Sequence, residues 1–367
     1  MRVHVVDPSA YTPPYDHALC AALGARGADV ELVTSRFAYG DVPAASGYRR
    51  AELFYRAAGR VRGEGAAAQR ARRALKLAEH VPNMLRYRRI AEAADVVHFQ
   101  WLSVQQLDAR LLPRGRPLVL TAHDVLPREA GALRRRAQRA LYDRFDAIVA
   151  HSQHSSSRLT DELGIAADRV HVIPHGAFAH LAEQPVSAPA FQTDKRVVLF
   201  FGLLRPYKGL DVLLDAWRGI EGAELWIVGM PRIDVAALRA RAPANVRFVA
   251  RFVGDDELPA YFRRADLVVL PYREIEQSGV LFTALAFGKP LLVSDVGGFS
   301  EIAERGAAHA VAPGDPAALH DALAGLLANP AALAALGERA LAAAHGEYGW
   351  DAIAARTLAL YERLLGV

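Results

Sequence analysis

The chain has 367 residues, 52% hydrophobic and 23% charged, a globular composition too long for one core of ordinary size, so two domains are expected. A single cysteine, Cys20, excludes an intramolecular disulfide framework and fits a reducing, cytosolic compartment. The formal net charge of +4 is mild, no apolar run is long enough for a membrane span, and MRVHVVDPS opens directly into a strand pattern without the marks of a signal peptide.

Short apolar runs alternate with Ala/Leu-rich helical stretches along the chain, the pattern of parallel α/β domains. In the first half the expected strands are VHVVD (3–7), DVELVTS (29–35), DVVHFQ (95–100), PLVLTAH (117–123), AIVAHS (147–152) and VHVIPHG (170–176). Each strand, in this half and in the second, is followed by a helix candidate of at least ten residues, such as AYTPPYDHALCAALGARG or GLDVLLDAWRGI. Between positions 49 and 89 lie twelve Arg or Lys (49, 50, 56, 60, 62, 70, 72, 73, 76, 86, 88, 89) against three acids (52, 64, 79), reinforced by Arg134, Arg135 and Arg136. Such a surface suits an anionic lipid or a phosphorylated acceptor, or is a plain solvated helix face. It lacks the interleaved aromatics of single-strand binders, so nucleic acid is not an expected partner.

Residues 178–194 carry no periodicity and read as a linker. Beyond it the expected strands are RVVLFFG (196–202), ELWIVG (224–229), VRFVARF (246–252), DLVVLPY (266–272), PLLVSD (290–295) and HAVAP (309–313). The tail EYGWDAIAARTLALYERLLGV has the apolar spacing of an amphipathic helix. The fold class is therefore α/β: two Rossmann-like domains, 1–177 and 195–348, facing across a cleft at the carboxyl ends of their strands.

Within FFGLLRPYKGLDVLLDAW, a strand ends at Gly202 and a short loop carries Arg205 and Lys208 before a helix begins. Free amides at a helix N-terminus beside two cations form a phosphate site, and a routine strand-to-helix turn is the plain alternative. In QSGVLFTALAFGKP, Gln277, Ser278, Gly279 and Val280 open another helix; Ser278 can cap it, and Gly279 lets a phosphate approach the first-turn amides. His123 and Asp124 follow directly on the strand PLVLTA and so emerge at its carboxyl end, as do His98, Gln100 and Trp101 on the preceding strand. His175 and Gly176 fall at the domain junction. Zinc spacing, a Gly-x-Ser-x-Gly elbow, a Walker lysine, an early Gly-x-Gly-x-x-Gly and a metal-binding Asp-x-Asp pair are all missing from the sequence.

Taken together, RGADVELVTS, VVHFQWL, LTAHDV, IVAHSQHSSSRLTDELGI, RVHVIPHG, FFGLLRPYKGLDVLLDAW, VRFVARFVGDDELPAYFRRADLVVLPY and AFGKPLLVSDVGGFSEI resemble the retaining, GT-B-fold glycosyltransferases of family 4 over nearly the whole chain. The resemblance implies that Arg205 and Lys208 neutralise a donor diphosphate, that His123 sits against the transferred sugar, and that the nucleotide base rests on Phe252 and Val253. It implies a UDP- or GDP-linked sugar as substrate, retention by front-face displacement, and neither metal nor cofactor. The expected acceptor is a hydroxyl on a glycan, a lipid-linked glycan or a small molecule; for a lipid-linked acceptor the basic stretch would attach the protein to the inner face of an anionic membrane. The resemblance also implies that 349–367 packs back on the first domain.

Two departures stand out. The family's Glu-x7-Glu motif would place its ribose-binding glutamate at Thr283 and its sugar-contacting one at Ile275, with Glu274 and Glu276 on either side, so Glu276 is the expected substitute. After the first strand, where the family has a Gly-Gly loop, this chain has PSAYTPPYDHALC, and Tyr15, Asp16 and His17 are expected on the acceptor side. Threonine can still hydrogen-bond a ribose hydroxyl, and loss of one charged acceptor costs about 1.5–3 kcal/mol. The other readings are a nucleotide-sugar-binding or regulatory protein without turnover, and a nucleotide-sugar epimerase.

Overall fold

The computed structural model describes residues 1–37, 40, 42–61, 65–125, 131–185 and 188–367, with only the backbone of 105, 106 and 132–134. Arg62, Glu64 and the side chain of Arg134, counted in the basic stretch, lie outside the described residues. The chain forms two compact units: unit 1 is Met1–Gly176 with Trp350–Val367, and unit 2 is Ala177–Gly349.

Unit 1 is built on a seven-stranded parallel sheet: β1 (Arg2–Asp7), β2 (Asp29–Ser35), β3 (Arg49–Phe54), β4 (Val96–Phe99), β5 (Leu118–Thr121), β6 (Ala147–Ala150) and β7 (Val170–Val172), in the order β3-β2-β1-β4-β5-β6-β7. Unit 2 holds six parallel strands: β8 (Arg196–Phe201), β9 (Ala223–Val228), β10 (Val246–Val249), β11 (Leu267–Leu270), β12 (Leu291–Ser294) and β13 (His309–Val311), in the order β10-β9-β8-β11-β12-β13. Both orders reverse beside the first strand, where open parallel sheets leave room for ligands at their carboxyl ends.

The central strands read as unbroken apolar runs because helices cover both faces, and β4, β5, β6, β11 and β12 are buried throughout. Three strands share a start device: the aspartate just before β4, β6 or β11 accepts the first free N–H of the adjoining strand. Asp95 takes Arg2 N at 2.7 Å, Asp146 takes Leu118 N at 2.7 Å, and Asp266 takes Val197 N at 2.8 Å. These bonds set the parallel register at the amino end of each sheet.

The structure differs from expectation in two places. RRAELF forms the edge strand β3, hidden in the sequence by two arginines on a polar edge. The helix Gln105–Leu111 after β4 has seven residues, and in unit 2 Leu210–Ala216, Val235–Arg241, Leu258–Arg264 and Gly298–Glu304 have seven and Gly279–Ala286 eight, all short of the ten expected; after β6 the helix Gln153–Ser157 runs on as a π-helical turn, Arg158–Glu162. The first helix, α1 (Pro13–Ala25), and the 25-residue α2 (Ala66–Ile90) are the long ones of unit 1.

The helix Trp350–Leu365 belongs to unit 1, burying Ile353, Ala354, Thr357, Leu360 and Tyr361 and packing along α1. Arg26 holds Asp351 through two bonds of 2.8 Å. At its start the Trp350 ring fills the space where a Gly176 side chain would stand, 2.3 Å from a Cβ built there. Residues 177 onward lie along unit 2, where Phe178 and Leu181 are buried and Arg263 donates to the Ala182 and Gln184 carbonyls at 2.7 and 2.8 Å.

The turn into β9 hangs on Asn245. Its amide donates to the Ile220 and Ala223 carbonyls at 2.9 and 3.0 Å and accepts the indole N–H of the fully buried Trp217 at 3.1 Å. Asn245→Ala is expected to destabilise unit 2 by about 2–3 kcal/mol, because three partners lose their bonds at once. Urea titration of the variant reads this directly, and a loss below about 0.5 kcal/mol would show that water replaces the amide.

Candidate active site

In unit 2 the loop after β8 is held in one shape by close backbone contacts. Gly202 has φ +111°, and Gly229, at φ +147°, lies so near it that a Cβ there would meet the Gly202 carbonyl oxygen at 1.8 Å. Gly209, left-handed at φ +66°, packs on the Pro271 carbonyl with 1.9 Å left for a Cβ. Leu204 bonds to Met230 and Arg232 through its backbone. Arg273 then clips the loop, donating to the Pro206 carbonyl at 3.0 Å and to Asp211 at 2.5 Å, while its N–H binds the Tyr207 carbonyl.

That frame exposes Arg205 and buries Lys208, which is 6% exposed with Nζ 4.7 Å from the Tyr272 ring centroid. The loop meets the helix Gly279–Ala286 at Gly202: a Cβ there would lie 3.1 Å from Lys208 Nζ and 3.0 Å from a Val280 methyl. Gly202, Lys208 and Val280 are thus brought together, with Gly279 exposed at the helix start. A buried cation beside a helix N-terminus and a bare glycine is a chemical setting for an anion.

The other residues expected here divide. Phe252 is 55% exposed, whereas Val253 is buried behind it. Glu276 is buried at 8% and Gln277 accepts the Ser278 N–H at 3.3 Å. Ser278 stands at the N-cap position without making the side-chain cap; its side chain is buried near the Tyr272 hydroxyl instead. Thr283 departs further from expectation. It is buried and donates its one hydroxyl proton to the Gly279 carbonyl a turn back, at 2.9 Å, so it is not available as a donor to a ribose.

In unit 1 the carboxyl ends of β1, β4, β5, β6 and β7 gather an aromatic and imidazole cluster. Trp101 stacks on His123 at 4.9 Å and 10°, and Tyr11, 58% exposed, leans on Trp101 at 5.3 Å. His123 Nε2 lies 3.2 Å from Gln100 and Nδ1 3.2 Å from His151 Nε2, while His151 Nδ1 reaches the Ile173 carbonyl at 3.0 Å. His98 ties the sheet to the last helix, contacting Tyr361 at 2.6 Å and Thr121 at 2.8 Å. Burial holds these rings neutral: it pushes His98 and His175 down to about 3, His151 to about 4, and His123 well below its ordinary value.

Tyr15 and Asp16, expected to face an acceptor, are buried instead, 3% and 1% exposed. Tyr15 is enclosed by His123, His151, His175 and Trp350 at 4.9–5.6 Å. Asp16 pairs with Asp7, whose carboxylate accepts the N–H groups of Ser9, Tyr11 and Thr12 at 3.2, 2.5 and 3.2 Å. Burial raises both carboxyls, Asp16 much further, so Asp16 keeps the proton and Asp7 the charge. His17 is half-buried with Nδ1 2.9 Å from the Tyr48 hydroxyl, and Asp124 is exposed.

His151, Tyr272 and Arg273 are the residues that sequence reasoning passed over. All three sit at or just past strand carboxyl ends, the same signal that singled out His123. Among the described residues no three His, Cys, Asp or Glu side chains converge as a metal site.

The whole chain superimposes on sucrose-phosphate synthase from Thermosynechococcus elongatus (TM-score 0.76, 20% identity, 100% of this chain and 99% of that one). It also superimposes on Anabaena HepE, solved in complex with UDP (TM-score 0.72, 19% identity, all of both chains). Those likenesses make it a protein of the GT-B fold. Residues 15–177 match the profile described as Glycosyltransferase Family 4, and residues 195–329 that described as Glycosyl transferases group 1. D-inositol 3-phosphate glycosyltransferase 1 of Catenulispora acidiphila is 30% identical over 306 residues, 73% of this chain and 72% of that one. The chain belongs to the family 4 glycosyltransferases.

The neutral imidazoles make stability depend on pH. Unfolded, these rings titrate near 6.5; folded, His98, His151 and His175 stay neutral down to about 4 or 3. Between those limits the unfolded state binds more protons, so stability falls with falling pH, by up to about 1.4 kcal/mol per unit for each ring. Asp16, raised from 3.8, acts in the opposite sense over part of that range. Urea titrations are expected to give an unfolding free energy about 3–6 kcal/mol lower at pH 5 than at pH 7.5. An unchanged value would mean that the rings are solvated.

Proposed function

We propose that the protein transfers a sugar from a UDP- or GDP-linked donor to a hydroxyl acceptor, with retention at the anomeric carbon and without a metal. The observation that carries this reading is the meeting of Lys208, Gly202 and the start of the helix Gly279–Ala286. In the reading, Lys208 and the exposed Arg205 take the diphosphate charge and stabilise it as it departs. The leaving diphosphate accepts the acceptor's proton in a front-face displacement. Phe252 lies under the base, Glu276 and His123 against the sugar, and the Gln277, Ser278 and Gly279 turn against the distal phosphate. Thr283, with its proton committed to Gly279, meets a ribose hydroxyl only as an acceptor.

Donor binding is testable without knowing the acceptor. A nucleotide at about a hundred times its dissociation constant stabilises by about 2.7 kcal/mol. UDP or GDP is expected to raise the melting temperature of the native protein, and of Lys208→Ala by far less, each compared with its own ligand-free baseline. Phe252→Ala is expected to weaken binding of the nucleotide but not of inorganic diphosphate. Absence of any nucleotide shift would remove the donor reading; a shift without turnover over a broad acceptor panel would favour a binding protein.

The acceptor side is read from α2. Arg73, Leu77, Val81, Leu85 and Arg89 recur every four residues and are all exposed, with Arg70 and Arg86 exposed beside them. An apolar stripe ended by cations suits the surface of an anionic membrane, and with it a lipid-linked acceptor. Among the described residues no single helix is long and apolar enough to cross a membrane. Sedimentation with vesicles containing about 30% anionic phospholipid is expected to retain the protein, to fail with neutral vesicles, and to weaken in Leu77→Ser/Leu85→Ser and in high salt. Equal retention by all of these would sink the membrane reading.

A further inference from the structure

We propose that His151 is a positioning residue that fixes His123 as its Nδ1–H tautomer, so that Nε2 stands at the carboxyl end of β5 as a hydrogen-bond acceptor for a sugar hydroxyl. The use to which the ring is put rests on the transferase reading; the tautomer does not.

The direction of the chain of bonds follows from its fixed end. The Ile173 carbonyl can only accept, so His151 Nδ1, 3.0 Å away, carries hydrogen. A neutral imidazole has one N–H, which leaves His151 Nε2 as a bare lone pair. His123 Nδ1, 3.2 Å from that lone pair, must then donate, and the His123 proton is placed on Nδ1. Its Nε2 is left as the acceptor.

Neutrality of both rings is the one condition, and the surroundings supply it. His151 is 4% exposed, and the groups acting on His123 are the imidazoles of His151, His175 and His98, each of which opposes a further positive charge. Tyr15, enclosed by the same rings, is an uncharged phenol held up by burial. Trp101, stacked flat on His123, prevents the ring from turning out of the line.

Gln100 completes the chain of bonds at the other ring nitrogen. Its amide lies 3.2 Å from His123 Nε2. With that nitrogen a bare lone pair, the contact is a hydrogen bond when the amide presents its NH2 to the ring, an orientation set by the hydrogen-bond network. Gln100 thus occupies the acceptor position until a substrate hydroxyl displaces it. A ring in this state binds a hydroxyl through the hydroxyl's proton and carries no positive charge of its own.

The tautomer can be read directly by long-range proton–nitrogen NMR correlation of the full-length protein labelled with nitrogen-15 histidine at pH 7, with His123→Gln identifying the signals. The expected pattern for His123 is a protonated Nδ1 and a pyridine-like Nε2. In His151→Leu the preference should shift toward Nε2–H, and His151→Gln, whose amide oxygen can accept from Nδ1, should restore it. A native His123 protonated at Nε2, or at both nitrogens, would overturn the proposal, as would an unchanged pattern in a folded His151→Leu. Should His151→Leu fail to fold, the native spectrum and the glutamine variant decide. Nucleotide stabilisation measured on the same native sample separates the two readings: the wrong tautomer with normal stabilisation removes the positioning role alone, and the expected tautomer without stabilisation removes the donor reading alone.

Discussion

Unit 1 is organised around one buried negative charge. Asp7, at the end of the first strand, draws the amides of three following residues around itself and thereby fixes where α1 begins. Thr34 on the neighbouring strand β2 donates to its carbonyl, so the same residue also ties β1 to β2. Because α1 starts there, Tyr15 points into the sheet's carboxyl end and the imidazoles close around it. The amides of the loop are answered by the chain's own carboxylate and are not available to a phosphate. That gives a physical reason why a loop without the glycine pair can be stable here: an internal anion takes the position that a ligand's anion would otherwise hold.

The two units consequently carry different electrostatics. Unit 2 concentrates positive potential at a rigid loop, with a lysine kept dry against an aromatic ring and an arginine in solvent. Unit 1 gathers four histidines and suppresses the charge of all of them. One unit thereby offers a setting that favours an anion, and the other a surface of neutral imidazole and aromatic rings. Gly202, Gly209 and Gly229 of the loop frame serve the first half of that division, since any side chain at Gly209 or Gly229 would push the loop away from its support.

Much of this was legible in the sequence where local pattern and structure coincide. Strands such as VVLFF and LVVL announce themselves because burial on both faces demands unbroken apolar runs, and His123 follows from its place just after such a strand. RRAELF was not legible, since an edge strand is relieved of that demand. Tyr15 and Asp16 were misplaced for a different reason. Polarity at the start of a helix suggests exposure, but the partner that makes burial tolerable, Asp7, acts through a turn whose shape no spacing rule encodes. Thr283 is similar: its position in the motif was found by counting, whereas the turn of its hydroxyl toward Gly279 depends on helix geometry and burial.

The seat of Trp350 against Gly176 has a consequence for how the protein is made. Unit 1 is discontinuous in the chain: its last helix is synthesised only after the whole of unit 2. At about 5–20 residues per second, the nascent first segment waits on the order of ten seconds or more without the helix that covers Tyr15 and receives the His98 contact. Unit 2, continuous and complete on emergence, is able to fold meanwhile. The final closing of the imidazole cluster therefore follows the synthesis of unit 2, and the interval before it is when an apolar face of the nascent chain is open to chaperones or to aggregation.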